Sequence, residues 1–158
     1  MHRVLQNFIN DKNIAIIGAS KNRDKWGNML FRTLASKGYN IYPIHFREEE
    51  IEDRKCYKSI SALPTNIHTL IISLPPEKTI KLIPEIIASS IKRVWMPTSG
   101  GITDKSLHES IQILKRNNIC AVYNICPLMI YPSSGLHKIH YYIMKLLNKI
   151  PKELCEKH

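Results

Sequence analysis

The 158 residues carry 23 Lys and Arg against 13 Asp and Glu, a formal charge of +10, and 44% of them are hydrophobic. That length implies one domain, 1–158, with enough apolar residues for a core, and the charge favours anionic partners: nucleic acid, a membrane surface or a phosphorylated small molecule. No apolar run approaches the ~20 residues of a spanning helix, the first residues lack a signal core, and Cys56, Cys120, Cys126 and Cys155 show no metal-ligand spacing, so a soluble, cytoplasmic protein is expected.

Residues 14–17 form a continuous apolar run closed by Gly18, the pattern of a strand covered on both faces. Met29, Leu30, Phe31 and Leu34 then recur at helical spacing, and Lys37-Gly38 ends that helix. A second strand, Ile41-Tyr42-Pro43-Ile44, leads into a charged loop over residues 47–55. Residues 69–74 give a third strand, stopped by Pro75-Pro76. Ile80, Ile83, Ile86 and Ile87 share one face of the next helix, with Glu77 in its first turn.

Val94-Trp95-Met96 is a fourth strand, ended by Pro97-Thr98-Ser99-Gly100-Gly101. Thr103 is expected to cap a helix carrying Leu107, Ile111 and Leu114, with Asp104 in its first turn. Residues 119–125 form the fifth strand, and an amphipathic helix is expected over about 134–148. Five strands alternating with helices imply an α/β, Rossmann-like, doubly wound and mainly parallel sheet with helices on both faces.

Ligands of such sheets bind beyond the carboxyl ends of the strands, near the switch in strand order. The candidates are therefore Gly18, Ala19 and Ser20; residues 43–46; Leu74, Pro75 and Pro76; Thr98, Ser99 and Gly100; and residues 124–127. The Gly18 turn can offer N–H groups to a phosphate, with Gly27 letting the loop lie close and Lys21, Arg23 and Lys25 adding positive potential. The bland alternative is an ordinary strand-to-helix turn.

A second strand serving NAD wants an acidic end. Here it reads Y-P-I-H-F-R, with no carboxylate before Glu48, which suits a phosphorylated ribose as in NADP or coenzyme A. The run Glu48-Glu49-Glu50 could fold back, although solvated charge is the favoured reading. Cys126 faces the crevice in this reading, but buried cysteines are commonly inert, so a structural role is favoured for it. His45 reads as a packing or surface residue, and Trp95 as core. The basic C-terminal region lacks an RNA-binding signature.

The pieces I-A-I-I-G-A-S-K-N, G-Y-N-I-Y-P-I, R-K-C-Y-K-S-I, I-S-L-P-P, V-W-M-P-T-S-G-G and V-Y-N-I-C-P occur in order across residues 13–127. In that order and spacing the chain resembles the small, stand-alone coenzyme A-binding proteins, whose domain is related to the CoA-binding domain of the succinyl-CoA synthetase alpha subunit. The resemblance implies that Gly18, Ala19, Ser20 and Asn22 hold the CoA diphosphate. It implies that Lys25, Arg47 and Lys55 surround the nucleotide end with its 3′-phosphate, and that Pro43 and Pro75 line the pocket. The chain departs from the family at Asn124, where a basic residue is frequent, and at W-M-P-T-S-G-G, where W-x-Q-x-G is frequent.

The resemblance also implies no complete ligase within 158 residues, since the ligase and ATP-grasp parts would have to come from elsewhere. Binding of CoA or an acyl-CoA without catalysis is the expectation. The alternatives are an NAD(P)-binding oxidoreductase or redox-sensing domain, and a nucleotide-binding subunit of a larger acyl-CoA ligase or acyltransferase. No nucleic-acid or membrane partner is expected, and the chain is expected as a monomer or homodimer.

Overall fold

The computed structural model describes residues 3–97, 104–123 and 125–129. The expected site residues Thr98, Ser99 and Gly100, the departure at Asn124 and the helix over 134–148 lie outside the described residues.

Five parallel strands form one sheet: β1 (Asn13–Ile17), β2 (Asn40–Ile44), β5 (Thr69–Ile72), β6 (Arg93–Met96) and β7 (Cys120–Tyr123). Their order is β2-β1-β5-β6-β7, so the chain moves outward from β1 to β2 and then returns past β1 to β5. The strand order therefore switches between β1 and β5, and a crevice opens at the carboxyl ends of those two strands. Pro43 fits because β2 is an edge strand, where a missing N–H costs little.

Alternation along the strands divides the core in two. Ala15, Leu70, Ile72, Val94 and Met96 face one side, against Ile83, Ile86, Leu107, Ile111 and Leu114. Ile14, Ile16, Ile71, Trp95 and Val122 face the other, against Phe8, Leu30, Phe31 and Leu34. Both sides are covered, which is why the strands read as unbroken apolar runs. Trp95 is core, as its apolar setting suggests: it is fully buried, its indole N–H donates to the Ile125 carbonyl at 2.8 Å, and Phe8 meets it edge-on at 5.1 Å.

Phe8 sits on α1 (Arg3–Asn10), a helix the apolar pattern did not announce. α2 (Trp26–Ser36) ends at Gly38, whose φ of +79° accounts for the glycine. Of its expected apolar face, Leu30, Phe31 and Leu34 are buried, but Met29 is exposed.

Three elements depart from expectation. The single helix after β5 is broken into α3 (Pro76–Thr79), a 3₁₀ turn (Ile80–Leu82) and α4 (Ile83–Ala88). Pro84 explains the break, because it lacks an N–H and its ring crowds the carbonyl four residues back, at Ile80. The cap of α5 (Lys105–Arg116) is Asp104, not Thr103. Its backbone is extended and its carboxylate accepts from the Leu107 N–H at 3.0 Å, joining a hydrogen bond to a favourable charge at the helix start.

The charged loop is a hairpin, β3 (Glu50–Ile51) against β4 (Arg54–Lys55). Its turn residues Glu52 and Asp53 both have positive φ, 50° and 58°, the primed geometry that matches strand twist.

Candidate functional site

The β1–α2 turn is built by two glycines. Gly18 has φ +108°, and a Cβ there would lie 2.2 Å from the Ser73 carbonyl oxygen. The turn thus crosses directly over the end of β5, a path closed to any side chain. Gly27, at the start of α2, leaves room for the backbone of that turn: a Cβ on it would stand 2.7 Å from the Gly18 oxygen. The glycine thus lets the start of α2 pack directly against the turn.

Asn28 locks the turn. It is fully buried one residue further on; its Oδ1 accepts from the Ser20 N–H at 3.0 Å and its Nδ2 donates to the Ser20 carbonyl at 2.7 Å. Ser20 Oγ accepts from the Asn22 N–H at 3.2 Å, and Asn22 Oδ1 from the Asp24 N–H at 3.1 Å. The Ser20 N–H is thus hydrogen-bonded within the turn, to Asn28. Lys25, the N-cap of α2, makes no side-chain capping bond, so the first-turn N–H groups of α2 have no capping side chain.

The hairpin closes over this turn. Asn28 Nδ2 also donates to Glu52 Oε1 at 2.9 Å, Arg32 donates to the same oxygen at 2.6 Å, and Arg23 pairs with Oε2 at 2.9 Å. Burial alone would raise the Glu52 carboxyl, but the hydrogen bonds from Asn28 and Arg32 and the charges of Arg32 and Arg23 outweigh it and hold the group below its ordinary value. The signs follow from that direction. Glu52 contributes stability above the unfolded pKa of about 4.3 and loses it as pH falls through the folded value. Glu52→Gln is expected to lower stability at pH 7 and to flatten its decline on acidification, as read by urea unfolding at pH 7 and pH 3.

Glu48 is not solvated charge. It pairs with Lys21 at 2.8 Å, an interaction that lowers the Glu48 carboxyl and raises the Lys21 ammonium. Two of the three cations expected to charge the turn, Lys21 and Arg23, are thus balanced by acids of the following loop. Ala19, Ile51 and Cys56 pack together beneath it, and burial pushes the Cys56 thiol up, as suits a structural cysteine.

Beside the turn, at the switch between β1 and β5, lies a cleft of about 560 Å³. Such a volume suits a nucleotide-sized ligand. Gly18, Ala19, Ser20 and Leu74, expected from strand ends, line it together with Lys25, which the resemblance implied. Asn22 is exposed and holds the loop. Pro43 is buried within β2, Pro76 is buried at the first position of α3, and Pro75 precedes it exposed. Lys55 is exposed on the hairpin, and Arg47 stacks its guanidinium 4.9 Å from the Phe46 ring centre. Cys126 packs, half-buried, against the α2 side of the core. None of these lines the cleft.

His45 and Phe46, from the strand-end stretch 43–46, also line it, whereas Lys58, Lys78, Lys81 and Glu85 are lining residues that sequence reasoning did not select. His45 and the 70% exposed Phe46 stack face to face at 5.6 Å. His45 Nδ1 accepts from the N–H groups of Arg47 and Glu48, at 3.3 and 3.1 Å, which leaves Nε2 to carry the proton of the neutral ring. Lys58 donates to the Arg47 and Glu48 carbonyls and to Glu49, so its charge ties the 47–49 loop down. Lys78, Lys81 and Glu85, from the segment after β5, also line the cleft. A basic doublet at helical spacing was the available signal for Lys78 and Lys81. Asn28 and Glu52 had no signal, since their partners are distant in sequence.

Residues 12–132 match the family described as the CoA binding domain. Over 98 residues, 61% of this chain, it is 34% identical to the alpha subunit of the ADP-forming acetate–CoA ligase II of Pyrococcus furiosus, of which the match covers 21%. An ADP-forming acetate–CoA ligase of Methanocaldococcus jannaschii is 33% identical over 68% of this chain and 16% of its own length. The chain thus spans about a fifth or less of these curated relatives. A solved conserved hypothetical protein of Pyrococcus furiosus superposes with a TM-score of 0.65 at 29% identity, over 73% of this chain and 95% of that one. The family match takes in every strand of the sheet and the whole cleft, and on that ground the chain belongs to the CoA-binding domain family.

Proposed function

We propose that the cleft binds coenzyme A or an acyl-CoA, with the diphosphate beside the Gly18 turn and the start of α2. The observation that carries this reading is a rigid turn at the switch point, locked by Asn28, which places Lys25 and the uncapped helix start beside a nucleotide-sized cleft. Anion capture by helix-start N–H groups and a cation is the chemistry of that arrangement. Family membership supports coenzyme A as the nucleotide. The NADP alternative has no such support.

The cleft binds rather than transforms its ligand. Three of its ionisable groups are engaged in holding structure, His45 Nδ1 by two N–H groups, Lys58 by three acceptors and Glu85 by Ser61, and the other lining ionisable groups, Lys25, Lys78 and Lys81, are cations suited to holding an anion. Catalysis would come from a larger ligase chain to which this domain lends its nucleotide site, a reading supported by the alpha-subunit relatives.

Isothermal titration of ligand-stripped protein with CoA, NAD⁺ and NADP⁺ at one fixed salt concentration tests the reading. CoA is expected to bind at least tenfold more tightly than either dinucleotide. Equal, weak and salt-sensitive binding of all three would reduce the site to non-specific attraction by a chain of charge +10.

A further inference from the structure

We propose that Lys78 and Lys81 form a second anion subsite in the cleft, which takes the 3′-phosphate of coenzyme A and selects it over nucleotides lacking that group. The proposal rests on the CoA reading above and assigns its phosphate specificity to residues that neither the strand-end rule nor the family pattern singled out.

Positive charge at the cleft is only partly balanced by acidic side chains. Of the cations near the Gly18 turn, Lys21 and Arg23 are paired with Glu48 and Glu52. Lys55 and Arg47, the expected holders of the nucleotide end, do not line the cleft. Lys58 does, but its ammonium already has three acceptors in the 47–49 loop. Lys25, Lys78 and Lys81 remain as lining cations with no carboxylate partner among the described residues. Lys25 stands beside the turn, before α2; Lys78 and Lys81 come from a separate lining segment, after β5.

Lys78 and Lys81 are three residues apart on the run from α3 into the 3₁₀ turn, so they are neighbours on one surface. Two like charges so placed repel one another unless an anion sits between them. The carboxylate that lines the cleft near them, Glu85, forms no ion pair with either lysine; its Oε1 accepts from both the N–H and the hydroxyl of Ser61, each at 2.9 Å. That bond also fastens the 58–61 segment to α4, holding the two sides of the cleft together.

Coenzyme A carries a diphosphate, a 3′-phosphate monoester and an uncharged pantetheine arm. A phosphate monoester near pH 7 bears close to two negative charges, which two adjacent ammonium groups match. With the diphosphate at the turn and Lys25, the 3′-phosphate is the ligand group that fits the lysine pair. Dephospho-CoA keeps the diphosphate and loses that contact.

Titrations of the whole chain and of the Lys78→Gln/Lys81→Gln variant with CoA and dephospho-CoA, at one salt concentration, test this. The native protein is expected to favour CoA by roughly tenfold or more, as charge-assisted contacts to one group allow. The variant is expected to lose that preference while its affinity for dephospho-CoA stays within about twofold of native. The preference of the native protein should also shrink below about pH 6, where the monoester takes up a proton. A preference kept by the variant, or an equal loss for both ligands, overturns the assignment while leaving CoA binding intact. Native protein that binds neither ligand overturns the CoA reading itself, and the assignment with it.

Discussion

Gly18→Ala is expected to cost about 4 kcal/mol of folding stability, the largest effect expected at any of the described glycines. Two penalties combine at this position. The residue has φ +108°, where an L side chain is strained, and the added Cβ would lie 2.2 Å from the Ser73 oxygen and 2.7 Å from its carbonyl carbon. Neither neighbour is a flexible side-chain end that can swing away. Ser73 is fixed by its own N–H bond to the Ile17 carbonyl at 2.8 Å, so relief requires β1 and β5 to part at the crevice. Urea unfolding followed by circular dichroism reads the loss. A change under about 1 kcal/mol would mean that the turn reaches another path over β5, and that its glycine is not required by the backbone. Because the same turn faces the cleft, CoA binding is expected to fall with stability in this variant.

Asn28→Ala is the second. It removes one amide that serves three buried or half-buried partners: the Ser20 N–H, the Ser20 carbonyl and Glu52 Oε1. Glu52 keeps its arginines, but the two Ser20 groups lose the partner that fixes them. Groups left unsatisfied in this way cost roughly 1–3 kcal/mol each, and partial access to water lowers the sum, so a loss of about 3 kcal/mol is expected. The functional effect is separate. The turn would reach its binding geometry only part of the time, and CoA affinity is expected to fall by roughly tenfold.

Asn28→Asp divides the two contributions. It keeps the acceptor for the Ser20 N–H but sets a second carboxylate against Glu52. Its stability deficit relative to native is expected to be larger at pH 7 than at pH 4.5, where protonation restores a donor. A deficit independent of pH would show that Glu52 is not the neighbour that matters.

The sequence carried the sheet because that information is local. A strand covered on both faces must be apolar throughout, and residues 14–17 and 69–72 are; helices must repeat near 3.6 residues, and Leu30, Phe31 and Leu34 do. From five such strands a parallel sheet follows, and with it a crevice at the strand ends, which is why Gly18, Ala19, Ser20 and Leu74 were legible as residues lining a cleft there. The broken helix after β5 was equally present in the sequence, at Pro84, but its apolar period masked it.

What the sequence could not decide was the fate of its charges. Lys21 and Arg23 read as free cations and Glu48 as a solvated acid, yet tertiary contact pairs them across 25 to 30 residues of chain and removes them from the binding potential. The hairpin that brings Glu52 to Asn28 has no glycine in its turn, and its positive φ values are stabilised by an ion-pair network that exists only once α2 lies beside it. Periodicity fixes which residues go inward, because burial of apolar area is a property of each side chain. Which charges remain unpaired at the cleft depends on distances between segments remote in sequence, and only folding sets those.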